Sequence, residues 1–327
     1  MNVAVVGAGS WGTALAAHLA RSTHAVRLWA RDAARAREIA DRGENARYLP
    51  GIALPGVSAT SDLAEAVKDA EIAFVAVPSE FCRDAFRALP PHLAAGTTLV
   101  SATKGLELGT LRRMSEVAAE EARGHPVAVL SGPSFALEVA QGQPTTVVVA
   151  SADLAVAEAV QRAVSSRSFR AYSSDDVTGV ELGGSLKNVI AIAAGIVDGL
   201  GYGHNTVAAL VTRGLAEMSR LAVALGARPD TLSGLAGLGD LVLTCTGALS
   251  RNRRLGQALG AGQAVAAALA ELRMVAEGVR TTQAACDLAR TAGVEMPIAQ
   301  QMRAVLYEGK PPREGVDELM LRTLKRE

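Results

Sequence analysis

Two lysines stand in segments that could expose a reacting group. Lys104 lies in ATKG at 102–105, directly after an apolar run, and Lys187 lies in SLKN at 185–188, inside a stretch of glycine and alanine. A lysine in a desolvated setting can shift its pKa toward neutrality and pass a proton, which arginine cannot do near pH 7. The chain carries only five lysines against twenty-eight arginines, so these two read as lysines kept where arginine would fail. The other three, Lys68, Lys310 and Lys325, admit a plainer reading, in which composition bias scatters lysine thinly.

The surroundings of Lys187 favour chemistry. In GVELGGSLKNVIAIAAG, helical spacing sets Gly183, Gly184, Ala191 and Ala194 beside Lys187 on a nearly bare face. Each glycine inside a helix costs about 1 kcal/mol relative to alanine, so the pair demands either close helix packing or room for a ligand. Packing explains the glycines but not a lysine among them. Further on, GLGDLVLTCTG places Asp240 on a glycine-rich loop, where it can pair with Lys187, bind a substrate hydroxyl, or form an Asx turn that merely stabilises the loop. In SRNRRLG, Ser250 is a helix cap whose neighbouring free amides, with Arg251 and Asn252, suit a phosphate; Arg253 and Arg254 read as solvated.

A second constellation opens the chain. Gly7, Gly9 and Gly12 form GxGxxG after the first apolar run, the spacing that permits a tight turn, close approach to a dinucleotide pyrophosphate and close helix packing. An acid at the end of the next strand would hold the ribose hydroxyls of NAD, but HAVRLWARD brings Arg31 first and Asp32 one step later. Arg31 can clamp a 2′-phosphate, so NADPH is the expected preference, with Arg35 and Arg37 as helpers; the alternative is that all three are solvated charges. None of His18, His24, His92, His125 and His204 falls in these segments, and a histidine-driven hydride transfer is not supported.

The scaffold that must position these groups is legible in outline. Apolar, β-branched runs at 2–6, 25–29, 72–77, 98–101, 127–130 and 145–150 alternate with helical patterns, which predicts an α/β, doubly wound, parallel Rossmann-like sheet over residues 1–180. GAGSWG, VPSE at 77–80, ATKG and SGPSFA at 131–136 then fall at the carboxyl ends of strands, where such sheets bind ligands. Lys104 is thereby aimed at the cofactor crevice. Beyond about Val177 long alanine- and leucine-rich segments with glycine breaks predict an all-helical second domain, 181–327, with helix starts at Pro229 and Pro297 and a turn at 310–312.

Composition narrows the partners. In 327 residues, 33 basic and 33 acidic side chains balance, so no overall field draws the protein to nucleic acid or anionic lipid, and a small molecule is expected. Cys82, Cys245 and Cys286 are isolated, with no CxxC and no clustered histidines; neither a disulfide framework nor a metal site is expected. Residues 1–20 are apolar but lack a basic leader and are broken by GAG, so export is not expected, and no apolar run approaches the roughly 20 residues a bilayer requires. A soluble cytoplasmic protein is the resulting expectation, and the helical second domain adds the expectation of a homodimer.

Taken together, GAGSWG, ATKGL, SGPSFA, SLKNVIAIAAG, GLGDLVLTCTG and SRNRRLG resemble, in order and over nearly the full length, the bacterial-type NAD(P)-dependent glycerol-3-phosphate dehydrogenases. The resemblance implies a Rossmann domain followed by a helical domain, and interconversion of sn-glycerol 3-phosphate and dihydroxyacetone phosphate with NADP(H) or NAD(H), feeding phospholipid synthesis. It makes Lys187 the proton donor or acceptor and sets Lys104, Gly132, Ser134, Asp240, Ser250, Arg251 and Asn252 around the substrate. On the cofactor side it implies Ser10, Trp11, Arg31, Tyr48, Lys104, Ala136, Arg251, Val275 and Glu277. Two other readings compete. A ketopantoate or 3-hydroxyacid reductase would share the glycine turn and a helical lysine but has no need of the 250–252 phosphate clamp. A non-catalytic NADP(H) sensor would not need Lys104, Lys187 and Asp240 together.

Overall fold

The computed structural model describes residues 1–22, 24–272 and 276–323. Two expected residues, Val275 and Lys325, lie outside them. The chain divides into two compact units, one of residues 1–104 and 112–181, the other of 105–111 and 182–327. Residues 105–111, which the sequence reading leaves within the first domain, therefore belong to the second unit.

The first unit is built on an eight-stranded sheet in the order β3-β2-β1-β4-β5-β6-β7-β8. The strands are β1 Asn2–Val6, β2 Ala25–Trp29, β3 Val57–Thr60, β4 Ile72–Val75, β5 Thr98–Ser101, β6 Val127–Ser131, β7 Thr145–Ala150 and β8 Phe169–Ser174. Strand β1 shows why the central strands are apolar throughout. Val3 and Val5 enter the core on one face of the sheet, while Ala4 and Val6 enter the core on the other, because helices cover both faces. Three of those helices begin on short acidic caps: Asp32 accepts from the amides of Ala34 and Arg35, Asp62 from Ala64 and Glu65, and Asp153 from Ala155.

The expectation of an all-parallel sheet needs correction. Pairing is parallel from β3 through β6, but β7 runs antiparallel to β6, with Val129 opposite Ala150, and β8 then pairs parallel with β7. The link from β6 to β7 carries only the one-turn helix Ala136–Ala140, too little for the long crossover that brings a chain back parallel.

From residue 182 on, the second unit's regular elements are helices among the described residues, as the alanine-rich pattern predicts. Helix Val177–Gly199, whose first residues lie in the first unit, supplies Leu186, Ile190, Ile192 and Ile196 to its core. Around these pack helices His204–Ala224, Asp240–Thr246, Arg251–Gly260, Glu277–Ala292 and Pro297–Tyr307. Proline opens two helices as expected, at Pro229 and Pro297, and a third at Pro312. One point differs from the sequence reading: helix Val177–Gly199 is long and apolar enough to cross a bilayer, yet its apolar stretch is buried within the protein, as in the core helix of a large helical unit.

Candidate functional site

The glycine turn after β1 is shaped by close approaches. Gly7 has φ +121°, and a Cβ there would meet the carbonyl of Ala76 at 2.6 Å; a Cβ on Gly12 would collide with the Gly7 carbonyl. Gly9, by contrast, faces open space, the room a pyrophosphate needs. Helix Ser10–Arg21 starts there with Gly9 at its N-cap, no side-chain cap and no acid in its first turn, so its leading amides are available to an anion. The Ser10 hydroxyl donates to the Tyr48 carbonyl at 2.7 Å, and the Asn45 amide donates to the Ala8 carbonyl at 2.9 Å. Residues 45–48 are thus tied to the turn. The buried Trp11 indole N–H has no partner among the described residues. An open cradle, a helix start with no side-chain cap and the buried Trp11 N–H fit a dinucleotide.

Beyond β2, Asp32 is engaged as the cap of helix Ala33–Arg42, and the amides of Arg35 and Ala34 hold its carboxyl below the usual carboxylate range. Arg31 is exposed and lies 4.9 Å over the Phe81 ring. Arg35 and Arg47 flank Tyr48 at 5.2 and 5.4 Å, while Arg37 is exposed with no such contact. Arg47 was missed by sequence reasoning, and its only signal is adjacency to Tyr48. At the ends of β5 and β6, the Lys104 ammonium donates to the Gly132 carbonyl at 2.8 Å, and the Ser134 hydroxyl donates to the same oxygen at 2.9 Å. Gly132 has φ +134°, and a Cβ there would press on Val147; Ala136 follows as the first residue of its short helix.

The second unit holds the other cluster. The Lys187 ammonium is buried and pairs with the Asp240 carboxylate, itself fully buried. It also donates to the Thr244 hydroxyl at 2.8 Å, which passes its own hydrogen to the Asp240 carbonyl at 2.6 Å. Asp240 is not on a loop: LAGLG at 235–239 winds into a single π turn leading into helix Asp240–Thr246. The turn fits because Gly183 lets the long helix approach, a Cβ there falling 2.5 Å from the Ala236 carbonyl. At Gly183, then, of the two explanations open for the glycine, packing applies. Thr244 was not anticipated, although its position four residues after Asp240 puts both on one helical face. Burial pushes the neighbouring Cys245 thiol up to about 12.

Ser250 caps helix Arg251–Gly260, accepting from the Arg253 amide at 3.2 Å. Arg251 is exposed at its first position. Asn252 is buried and held by the protein as well: its amide donates to the Asn188 side chain at 2.9 Å, and its oxygen accepts from the Gly278 amide at 3.0 Å. One N–H of its amide group remains for a ligand. Glu277, half-buried, opens helix Glu277–Ala292 beside that contact. Among the described residues no group of His, Cys, Asp and Glu could hold a metal.

Both halves of the chain match one family. Residues 2–157 match the family described as NAD-dependent glycerol-3-phosphate dehydrogenase N-terminus, and residues 176–317 match its C-terminus. A glycerol-3-phosphate dehydrogenase [NAD(P)+] of Geobacter sp. (strain M21) is 53% identical over 330 residues, spanning 100% of this chain and 98% of that protein. The crystal structure of glycerol-3-phosphate dehydrogenase from Coxiella burnetii superposes with a TM-score of 0.95 at 43% identity, covering 98% of this chain and 99% of the other. A ketopantoate reductase from Ralstonia eutropha, at 19% identity and a TM-score of 0.60, shares the fold alone.

Proposed function

The chain belongs to the NAD-dependent glycerol-3-phosphate dehydrogenase family, and from that premise we propose how its residues interconvert sn-glycerol 3-phosphate and dihydroxyacetone phosphate. The buried Lys187–Asp240 pair carries the reading. NAD(P)(H), when bound, supplies or accepts the hydride. Gly7, Gly9, Ser10, Trp11 and Gly12 would hold its pyrophosphate, and Arg31 its adenosine end, with Tyr48, Lys104, Ala136, Arg251, Val275 and Glu277 completing the contacts. Arg31 and the arginines flanking Tyr48 favour NADPH as the preferred form.

In the direction of reduction, Lys187 gives its proton to the ketone oxygen as that oxygen becomes an alkoxide. Asp240 and Thr244 fix the ammonium in one orientation. Arg251 and the first-turn amides of its helix bind the phosphate, with Ser250 shaping the turn and the free Asn252 N–H as a further donor, so binding energy remote from the carbonyl orients it. Lys104, Gly132 and Ser134 are assigned to the substrate as well. A cytoplasmic homodimer supplying glycerol 3-phosphate to phospholipid synthesis completes the proposal.

Lys187→Ala is expected to keep substrate and cofactor binding but to lose kcat by about 10²–10⁴-fold, the usual range for a general acid. Because alanine also leaves Asp240 buried without its partner, Lys187→Arg is the sharper variant: it keeps the ion pair but cannot release a proton near neutrality. Steady-state rates with dihydroxyacetone phosphate decide it, and near-normal turnover in Lys187→Arg eliminates the role.

A further inference from the structure

Helix Val177–Gly199 carries a second acid–base contact three turns beyond Lys187. Asp198 lies eleven residues on, within about 20° of the same direction around the helix axis. Its carboxylate accepts from Arg253 Nη2 and from Gln257 Nε2, both at 2.6 Å. Arg253 and Gln257 are one turn apart on helix Arg251–Gly260, so a single carboxylate grips one face of that helix. A carboxylate in the last turn of a helix is disfavoured by the negative end of the helix dipole, and its placement here calls for a reason.

The packing of the two helices supplies one. The Asn188 side chain meets Asn252, the Ile192 carbonyl lies where a Cβ on Gly256 would be, and the Ile196 carbonyl lies where a Cβ on Gly260 would be. Each contact advances four residues on both helices at once. The reciprocal approaches, Gly195 to the Arg253 carbonyl and Gly199 to the Gln257 carbonyl, complete the seam; the helices therefore run parallel, in a register that sets Arg251 about one turn beyond Lys187, level with Ile190. Sliding by one turn would move the phosphate-binding turn about 5.4 Å along the lysine helix, much further than the roughly 1 Å misplacement that can cost 100-fold in rate. Glycine on both helices lets the backbones approach at this register, and the Asp198 carboxylate adds a directional polar grip to it.

We infer that Asp198 is a positioning residue for the reaction: by gripping Arg253 and Gln257 it locks helix Arg251–Gly260 in the register that fixes the distance from phosphate anchor to proton donor. The inference rests on the proposed roles of Lys187 and Arg251. Nothing in it requires Asp198 to touch substrate.

The test uses the full-length enzyme with NADPH and two substrates, dihydroxyacetone phosphate and dihydroxyacetone, together with melting temperatures. Arg251→Ala, Asp198→Ala, Asp198→Asn and Gln257→Leu are compared. Asp198→Ala should lower kcat/KM for dihydroxyacetone phosphate by about 10-fold, mostly through kcat, and leave the dihydroxyacetone value within about 2-fold. Asp198→Asn, whose oxygen still accepts, should fall between Asp198→Ala and the native enzyme, and Gln257→Leu should show a smaller loss of the same selectivity without stranding a charge. Equal losses on both substrates in these variants, or no loss on the phosphorylated one while Arg251→Ala is impaired, overturn the inference alone. Should Arg251→Ala itself leave the phosphorylated substrate unaffected, the anchor reading falls and takes the inference with it.

Discussion

Lysine is scarce in this chain, and the two residues singled out by that scarcity have buried or half-buried polar partners rather than solvent. Lys187 meets Asp240 and Thr244, and Lys104 meets the Gly132 carbonyl. The same reasoning applies to the arginines at the cofactor end. With the Asp32 carboxylate already taken by two helix amides, the end of β2 presents a cation, Arg31, rather than an acid to the ribose. A charge-assisted contact to a 2′-phosphate contributes about 1.5–3 kcal/mol, so Arg31→Ala should lower kcat/KM with NADPH by roughly 10–100-fold and leave NADH within a few-fold. Initial rates with both cofactors measure this. Equal losses with NADH and NADPH would remove Arg31 from cofactor selection.

At the scale of elements, helix Pro297–Tyr307 shows how a start is satisfied from a distance. Proline at its first position has no N–H, and the following amides are met by Glu217 of helix His204–Ala224, whose oxygens lie 2.9 and 3.1 Å from the Ile298 nitrogen. Burial nonetheless pushes the Glu217 carboxyl up to about 7 from 4.5, against the opposing pull of the Ile298 and Ala299 amides. Between those two values the folded protein holds a proton that the unfolded chain has released. The contribution is therefore whole below about pH 4.5 and is lost as pH rises through about 7, a swing on the order of 3 kcal/mol. Glu217→Gln keeps an acceptor oxygen but cannot titrate, so urea unfolding at pH 5 and pH 8 should show a smaller fall for the variant than for the native chain. Parallel pH dependences would remove Glu217 from the account.

The sequence conveys this cap poorly, since Glu217 and Ile298 are far apart in the chain and neither is unusual locally. It conveys the central strands well, because burial on both faces demands an unbroken apolar run, as in β1 and β4. The edge strands escape for the converse reason. Strand β3 is VSAT, with no residue fully buried, and β8 is FRAYSS, alternating buried and exposed. Strand direction escapes as well, for the apolar run of β7 would read identically in either sense. At the site, the motifs flagged Lys187, Asp240 and Ser250, whereas the partnership of Asn252 with Asn188 and Gly278 depends on a helix register that no local spacing encodes.

For the whole molecule, the division of the chain has an energetic consequence. The segment 105–111 leaves β5 and contributes to the second unit, where Leu106 is 3% exposed within the helical core alongside Leu182 and Leu186. The second unit is therefore not continuous in sequence, and a cut near residue 180 would separate its core from one of its own side chains. Leu106→Ala should remove about 2–5 kcal/mol through lost burial and the cavity left behind. The loss should appear where Leu106 packs: native-state hydrogen exchange should accelerate in helix Val177–Gly199 and its neighbours, while the amides of β1, β4 and β5 keep their protection. Acceleration confined to the sheet instead would assign Leu106, and the segment that carries it, to the first unit.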